Sequence, residues 1–356
     1  MARPTLILHA GTYKTGTTAL QWFLWKNRDR LRAAGLYRPA TGAGDGPASW
    51  GHHALVQGLN RPGGAETWAA LAAECAAAGT PRAVISSELF CNIRAAQALR
   101  PVVAAFAGWE IRTVVYFRRQ DRYLESLYNH HVKAAGECDG IEAFAERIAH
   151  RLDYRGFVQV LERAFGPGST TVRVYEPERM QGDICADFLA TLGIAMPPGA
   201  EAPERALNPG LTRRGLTLML RANRRYRDDP ARLEAIRQKT IQRHAAPPHS
   251  DHAILTPPAR RALMQRYRPG NGWIAARFLD GQKPMFSPRS RPAGAGQKQG
   301  QKRAQKPAQK QGQKPAQKQG QKPGQKPGQK RGGRSGPGQA SGGAAGPSKP
   351  ARPTPR

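Results

Sequence analysis

Apolar residues along this chain fall into short runs separated by segments of helical period, and that alternation predicts the architecture. Thr5-Leu6-Ile7-Leu8 is a continuous run of strand length. Beyond a Gly-rich turn, Leu20, Phe23, Leu24 and Leu31 share one face of a helix that Gly35 stops. Pro39 to Gly64 is rich in Gly, Pro and His and reads as loop, with a short helix near His52–Leu59. An Ala-rich helix over Glu66–Ala78 follows, ended by Gly79-Thr80-Pro81. Ala83–Glu88 reads as a second strand, Leu99–Ala107 as helix, and Ile111–Phe117 as the clearest strand of the chain. A long helix over Asp121–Ala134 and a strand over Thr170–Tyr175 come next, and the remainder to Phe286 is mainly helical.

Strands spaced this far apart need crossover connections. The sheet is therefore expected to be mostly parallel, with helices on both faces. Ligands of such sheets bind beyond the carboxyl ends of the strands. Three of the loops leaving those ends are unusually polar: after Leu8, after Ile85 and after Phe117.

Charge changes the picture at one end. The chain has 356 residues with 56 Lys and Arg against 25 Asp and Glu. Ser287–Arg356 carries 17 of the basic residues, no acid, and Ala as its sole apolar side chain. Such a segment cannot bury enough surface to offset the entropy of ordering it, so it is expected to be a disordered tail after a domain spanning 1–286. Within it the pair Gln-Lys recurs every four residues, nine times. The tail is either a solvated extension or a salt-sensitive electrostatic tether to polyanions. The body retains a net +14, which points to an anionic partner or substrate. No run reaches the ~18–20 apolar residues of a membrane span. The N-terminus does not read as a secretory signal, and the expected localisation is cytoplasmic. Cys75, Cys91, Cys138 and Cys185 lack paired spacing, and the His residues lack metal-like spacing, so neither a disulfide framework nor a metal is expected.

The loop after the first strand is Gly11-Thr12-Tyr13-Lys14-Thr15-Gly16-Thr17-Thr18. Strand, Gly-flanked loop and helix together form an anion site: the backbone turns tightly, helix N–H groups face the anion, Lys14 adds charge, and Thr17 and Thr18 add hydroxyls. A nucleotide triphosphatase loop would place Lys after the second Gly, where Thr17 stands here, and no apolar strand ends in an Asp to hold magnesium. Helical spacing further puts Arg122, Ser126, His130 and Lys133 on one face, opposite Leu124, Leu127 and Tyr128, which are expected to face the sheet.

Lys14-Thr15-Gly16-Thr17-Thr18 resembles the loop of sulfotransferases that use 3′-phosphoadenosine 5′-phosphosulfate (PAPS), most closely a bacterial branch in which Leu-Gln follows, as Leu20-Gln21 does here. Tyr13 stands where that branch has His, and Ala19 stands where the animal cytosolic enzymes place an aromatic residue against adenine. Weaker matches are Val174-Tyr175-Glu176, Phe188-Leu189, Leu192-Gly193-Ile194, Asn208-Pro209-Gly210-Leu211 and the segment around Tyr267, Asn271 and Arg277-Phe278-Leu279. The resemblance covers Thr5 to Phe286. It implies a P-loop nucleoside-triphosphate-hydrolase-like α/β fold, PAPS as sulfuryl donor held by Lys14, Thr15, Gly16, Thr17 and Thr18, and a small-molecule or glycan acceptor. It also implies a 3′-phosphate site at Arg118 and Ser126, an Arg ending a central strand and a Ser eight positions later. Sulfuryl transfer to a hydroxyl needs a proton acceptor. Glu88 at the end of the second strand is the leading candidate, and His52 and His53 are the alternatives. Two rivals stay open: a nucleotide-dependent kinase, and a non-catalytic polyanion-binding protein on this scaffold.

Overall fold

Residues 3–44, 50–203, 210–246, 254–281 and 284–287 are described by the structure, a computed structural model. The expected tail beyond Ser287 and the Asn208-Pro209 pair lie outside them. Five strands form one sheet: β1 (Thr5–His9), β2 (Leu36–Tyr37), β3 (Arg82–Ser86), β4 (Glu110–Phe117) and β5 (Thr170–Val174). Their order is β2-β3-β1-β4-β5, and every neighbouring pair is parallel. Helices α1 (Thr17–Lys26) and α2 (Arg28–Ala33) join β1 to β2, and α3 (His53–Gly58) and α4 (Gly64–Ala77) lead to β3. Helix α5 (Arg100–Ala105) precedes β4; α6 (Gln120–Ala134), α7 (Ile141–Arg147), α8 (Ala149–Leu152) and α9 (Tyr154–Phe165) separate β4 from β5. Then come α10 (Ile184–Thr191), α11 (Arg213–Arg225), α12 (Pro230–His244) and α13 (Pro257–Phe278). This is the expected α/β class, a P-loop-like fold with a parallel sheet flanked by helices. Among the described residues no helix is long and apolar enough to cross a membrane.

Both faces of the sheet are covered at its centre, so β1, β3 and the second half of β4 are buried at consecutive positions. Leu6, Leu8, Ala83, Ile85, Val115 and Phe117 share a core with Trp68 and Leu71 of α4 and Phe157 and Leu161 of α9. Ile7, Val84, Val114 and Tyr116 belong to a second core with Leu20, Phe23 and Leu24 of α1 and Phe188 of α10. In register, His9 lies opposite Ser86 of β3 on one side and Val114 of β4 on the other. The loops that follow β1, β3 and β4 therefore leave the same edge.

Two local expectations are corrected. The helix after the first loop is broken at Asn27, whose side-chain amide donates to Phe23 O at 3.0 Å and to Glu201 O at 2.8 Å. A side chain that bonds the helix carbonyls competes with continued winding. Leu124 and Leu127, expected to face the sheet, instead form a third core with Phe144 of α7 and Leu216 and Met219 of α11. Helix α6 is thus enclosed on nearly all sides, with Asp121, Glu125, Ser126, Asn129 and Lys133 all buried. Its acids are matched from α13, where Arg260 donates to Asp121 Oδ2 at 2.7 Å and Glu125 Oε1 at 2.8 Å.

Candidate functional site

The loop from β1 to α1 is held by its own threonines. Thr12 Oγ1 donates to Tyr116 O of β4 at 2.9 Å, and Thr15 Oγ1 donates to Thr12 O at 2.6 Å. Lys14 sits at φ 64, a left-handed conformation that costs a side-chain-bearing residue roughly 1–3 kcal/mol and tends to collect at functional sites. Gly16, at φ 78, is the N-cap of α1, and no side chain caps it. A β-carbon there would stand 3.2 Å from both the ring and the hydroxyl of Tyr175, so the close approach of the β5 loop requires glycine. The uncapped first turn of α1 carries N–H groups suited to an anion. Tyr13 is accounted for locally: Arg151 lies 5.0 Å from its ring centroid, and Asn92 Nδ2 donates to its hydroxyl at 3.4 Å.

The β4 side supplies positive charge. Arg118 leaves the end of β4 and donates through Nη1 to Lys14 O at 3.2 Å, while its own carbonyl accepts from Tyr154 Oη at 2.6 Å. Ser126 and Lys133 are 9% and 7% exposed on α6. Burial, and then the charges of Lys133 and Arg118, pull the Lys14 ammonium down to about 8, with Glu88 acting in the opposite direction. His130 is pushed down to about 4 by burial and by Lys14 and Lys133. These shifts record like charges gathered around one loop.

The β3 side supplies an acid. Glu88 opens a 3₁₀ turn (Glu88–Asn92) capped by Ser87, whose Oγ accepts from Leu89 N at 3.3 Å. It packs directly on the loop, since a β-carbon on Gly11 would lie 3.1 Å from both Glu88 Cα and Cβ. Gln21 Nε2 of α1 donates to Glu88 Oε2 at 2.8 Å, and His53 Nε2 lies 3.8 Å from the same oxygen. His53 Nδ1 is in turn 2.9 Å from Ser87 Oγ. A β-carbon on Gly51 would come within 2.8 Å of both Gln21 and His53, so this convergence also depends on a glycine. Beside Glu88 opens a cavity of about 560 Å³, walled by residues 42–44, by His53, Ala54 and Gln57 of α3, and by Gly51 and Leu89.

His52 is placed differently from His53. It is 1% exposed; its Nδ1 accepts from Ser86 N at 3.2 Å and its Nε2 lies 3.0 Å from Pro39 O. Both ring nitrogens are used by backbone, and burial drives its pKa down to about 3. The structure therefore brings Lys14, Glu88, His53 and Arg118 to one sheet edge, leaves Ser126 buried on α6 without a hydrogen bond to them among the described residues, and gives His52 a scaffold role. Ser287, the first residue of the expected tail, is tied to the β5 loop through Ser287 Oγ and Glu176 Oε2 at 3.0 Å. Gln21, Tyr175, His130 and Lys133 are site neighbours whose roles the sequence did not specify. Away from this edge, Glu137, Cys138 and Asp139 come together, and Arg147 pairs with both carboxylates.

No family model matches the chain. An uncharacterized protein of Archaeoglobus fulgidus is 32% identical over 142 residues, 39% of this chain; the match spans 38% of that curated relative's length. A solved structure, the sulfotransferase from Alicyclobacillus acidocaldarius, is similar at 17% identity with a TM-score of 0.38, covering 67% of this chain and 97% of that one. Likeness at those levels leaves the reading of the site to its own geometry.

Proposed function

We propose that this chain is a sulfotransferase that moves a sulfuryl group from PAPS to a hydroxyl or amine. The observation that carries the reading is the gathering of Lys14, Arg118 and Lys133 around a Gly-flanked loop, with one carboxylate, Glu88, on its opposite side. Buried like charges favour an anionic ligand, because each cation lowers the free-energy cost of bringing a phosphate or sulfonate out of water. The residues fit the donor: Lys14, Thr15, Gly16, Thr17 and Thr18 would hold the phosphosulfate, and Arg118 with Ser126 the 3′-phosphate. When bound, PAPS supplies the activated sulfuryl group. Glu88 would accept the acceptor's proton as its oxygen or nitrogen bonds to sulfur, and Lys14 would stabilise the phosphate oxygen released as the sulfur–oxygen bond breaks.

Phosphoryl transfer from a nucleoside triphosphate is the second reading, favoured by one observation: an acid just beyond β3, beside the loop, could hold magnesium. Calorimetry with 3′,5′-adenosine bisphosphate and with ATP, each with and without magnesium, separates the two. Metal-independent binding of the bisphosphate, stronger than that of ATP and lost in Lys14→Ala, is expected. Tight, magnesium-dependent ATP binding would replace the sulfotransferase reading with the kinase one.

A further inference from the structure

Resting on the assignment of Glu88 above, we infer that the cavity beside it is the acceptor site, and that it takes a neutral, hydroxyl-bearing small molecule. For a chain with 56 basic residues an acidic acceptor would be the first guess. The lining argues otherwise. Among the described residues no Lys or Arg borders the cavity. The one acid among the described lining residues is Glu88, whose side chain is 15% exposed. Gln21 and His53 both address Oε2, and no described donor is bonded to Oε1. An acceptor carboxylate or sulfate entering here would face that carboxylate with no Lys or Arg among the described lining residues to offset the repulsion. A hydroxyl would donate to it.

The remaining wall has the chemistry of a site for an alcohol or polyol. The Gln57 amide both donates and accepts, and Leu89 adds an apolar patch. Gly51 and Ala54 leave the space open, and about 560 Å³ is in the range of small-molecule sites. Arg118 and Lys133 instead flank Lys14, where the donor's charge would sit. Substrate charge is thereby sorted across the loop.

The test uses the full chain, the donor, and matched small acceptors that differ only in a carboxylate: methyl glucoside against methyl glucuronide, and 4-methylphenol against 4-hydroxyphenylacetate. Small acceptors avoid any binding of acidic polymers by the basic repeat. The neutral member of a pair is expected to have at least a ~10-fold higher kcat/KM, since one uncompensated like charge in a partly desolvated site costs about that much or more. Ala54→Trp, an exposed position on α3, should fill the cavity and cut transfer ~10-fold or more with the bisphosphate affinity unchanged. Gln57→Lys should narrow the gap between neutral and acidic members. Preference for the acidic members, full transfer by Ala54→Trp, or no transfer to any neutral member by protein that binds the bisphosphate would each overturn the proposal. Its failure is distinguishable from that of the underlying reading: absent bisphosphate binding in wild type removes the sulfotransferase, a normal rate in Glu88→Gln removes the base, and full transfer by Ala54→Trp with bisphosphate binding intact and Glu88→Gln slowed removes the cavity alone.

Discussion

On the β4 side of Lys14 the molecule buries cations on a helix that is itself enclosed; on the β3 side it presents one carboxylate at the edge of an open cavity. Arg118 and Lys133 approach the loop from β4 and α6, Ser126 is buried on α6, and α6 owes its burial to a third core and to Arg260, which bonds two of its acids. Glu88 reaches the loop from a 3₁₀ turn, steadied by Gln21 and His53. The central position of β1 makes this division possible, because β3 and β4 are its two neighbours. A rigid, desolvated flank suits a fixed anion, since its charges need no reorganisation when the ligand arrives. A partly open flank suits exchange of acceptors and protons. The contrast can be broken at each side in turn.

The largest effect is expected at the carboxylate. Glu88→Gln keeps the shape and removes the basicity, so turnover should drop by roughly 10²–10⁴ while bisphosphate binding persists. Single-turnover rates beside calorimetry check this, and a near-normal rate would shift the role to His53.

Lys14→Ala attacks the opposite flank, and loss of one charge-stabilising donor typically costs about 10²–10³ in kcat. Here donor binding should fall as well. Because the Lys14 ammonium titrates near 8 in the free protein, bisphosphate affinity should weaken as pH rises through that value. Stability has the opposite slope: between about 8 and 10.5 the unfolded chain holds a proton on Lys14 that the folded chain has lost, so ligand-free protein should gain stability as pH rises across that window. Denaturant midpoints measured with and without bisphosphate would show the two trends crossing, and a flat wild-type profile would mean that Lys14 is not buried among cations.

Arg118→Ala and Ser126→Ala should reduce discrimination between nucleotides with and without the 3′-phosphate, Arg118 by roughly 1.5–3 kcal/mol and Ser126 by less. Equal loss of both nucleotides would place that phosphate elsewhere.

The smallest effect on chemistry is expected at His52. His52→Ala strands the Ser86 N–H and the Pro39 carbonyl, so it should destabilise the fold by about 1–3 kcal/mol, read as a lower Tm, with kcat close to wild type in the folded fraction. His53→Gln should show the reverse pattern, with little change in Tm and a measurable fall in kcat. Matching profiles for the two variants would remove the distinction drawn between them.

Local physics made much of this legible without coordinates. Runs of consecutive apolar residues marked β1, β3 and β4, because strands buried on both faces leave few polar positions to interrupt them, whereas the edge strand β5 alternates, with Thr171 exposed. A Lys between two glycines, directly after a strand and before a helix, singled out the loop as the candidate anion site, because such a pattern lets a backbone turn tightly with helix N–H groups exposed. Two-residue β2 and the break at Asn27 escaped, the first too short for periodicity and the second dependent on Glu201, distant in sequence. Nor does spacing distinguish His52 from its neighbour His53. One ring is closed in by Ser86 and Pro39, and the other turns toward Glu88, by contacts that exist only once the loop has folded against β3. Lys133 reads equally well as a solvated helix residue until α7 and α11 cover α6. The chain alone thus determined the four longer strands, the sheet class and the Gly-flanked turn between β1 and α1, which depend on short-range pattern and backbone sterics. Tertiary structure decided which polar groups meet, which are desolvated and which remain open to a ligand, because burial and electrostatic coupling arise between segments the sequence keeps far apart.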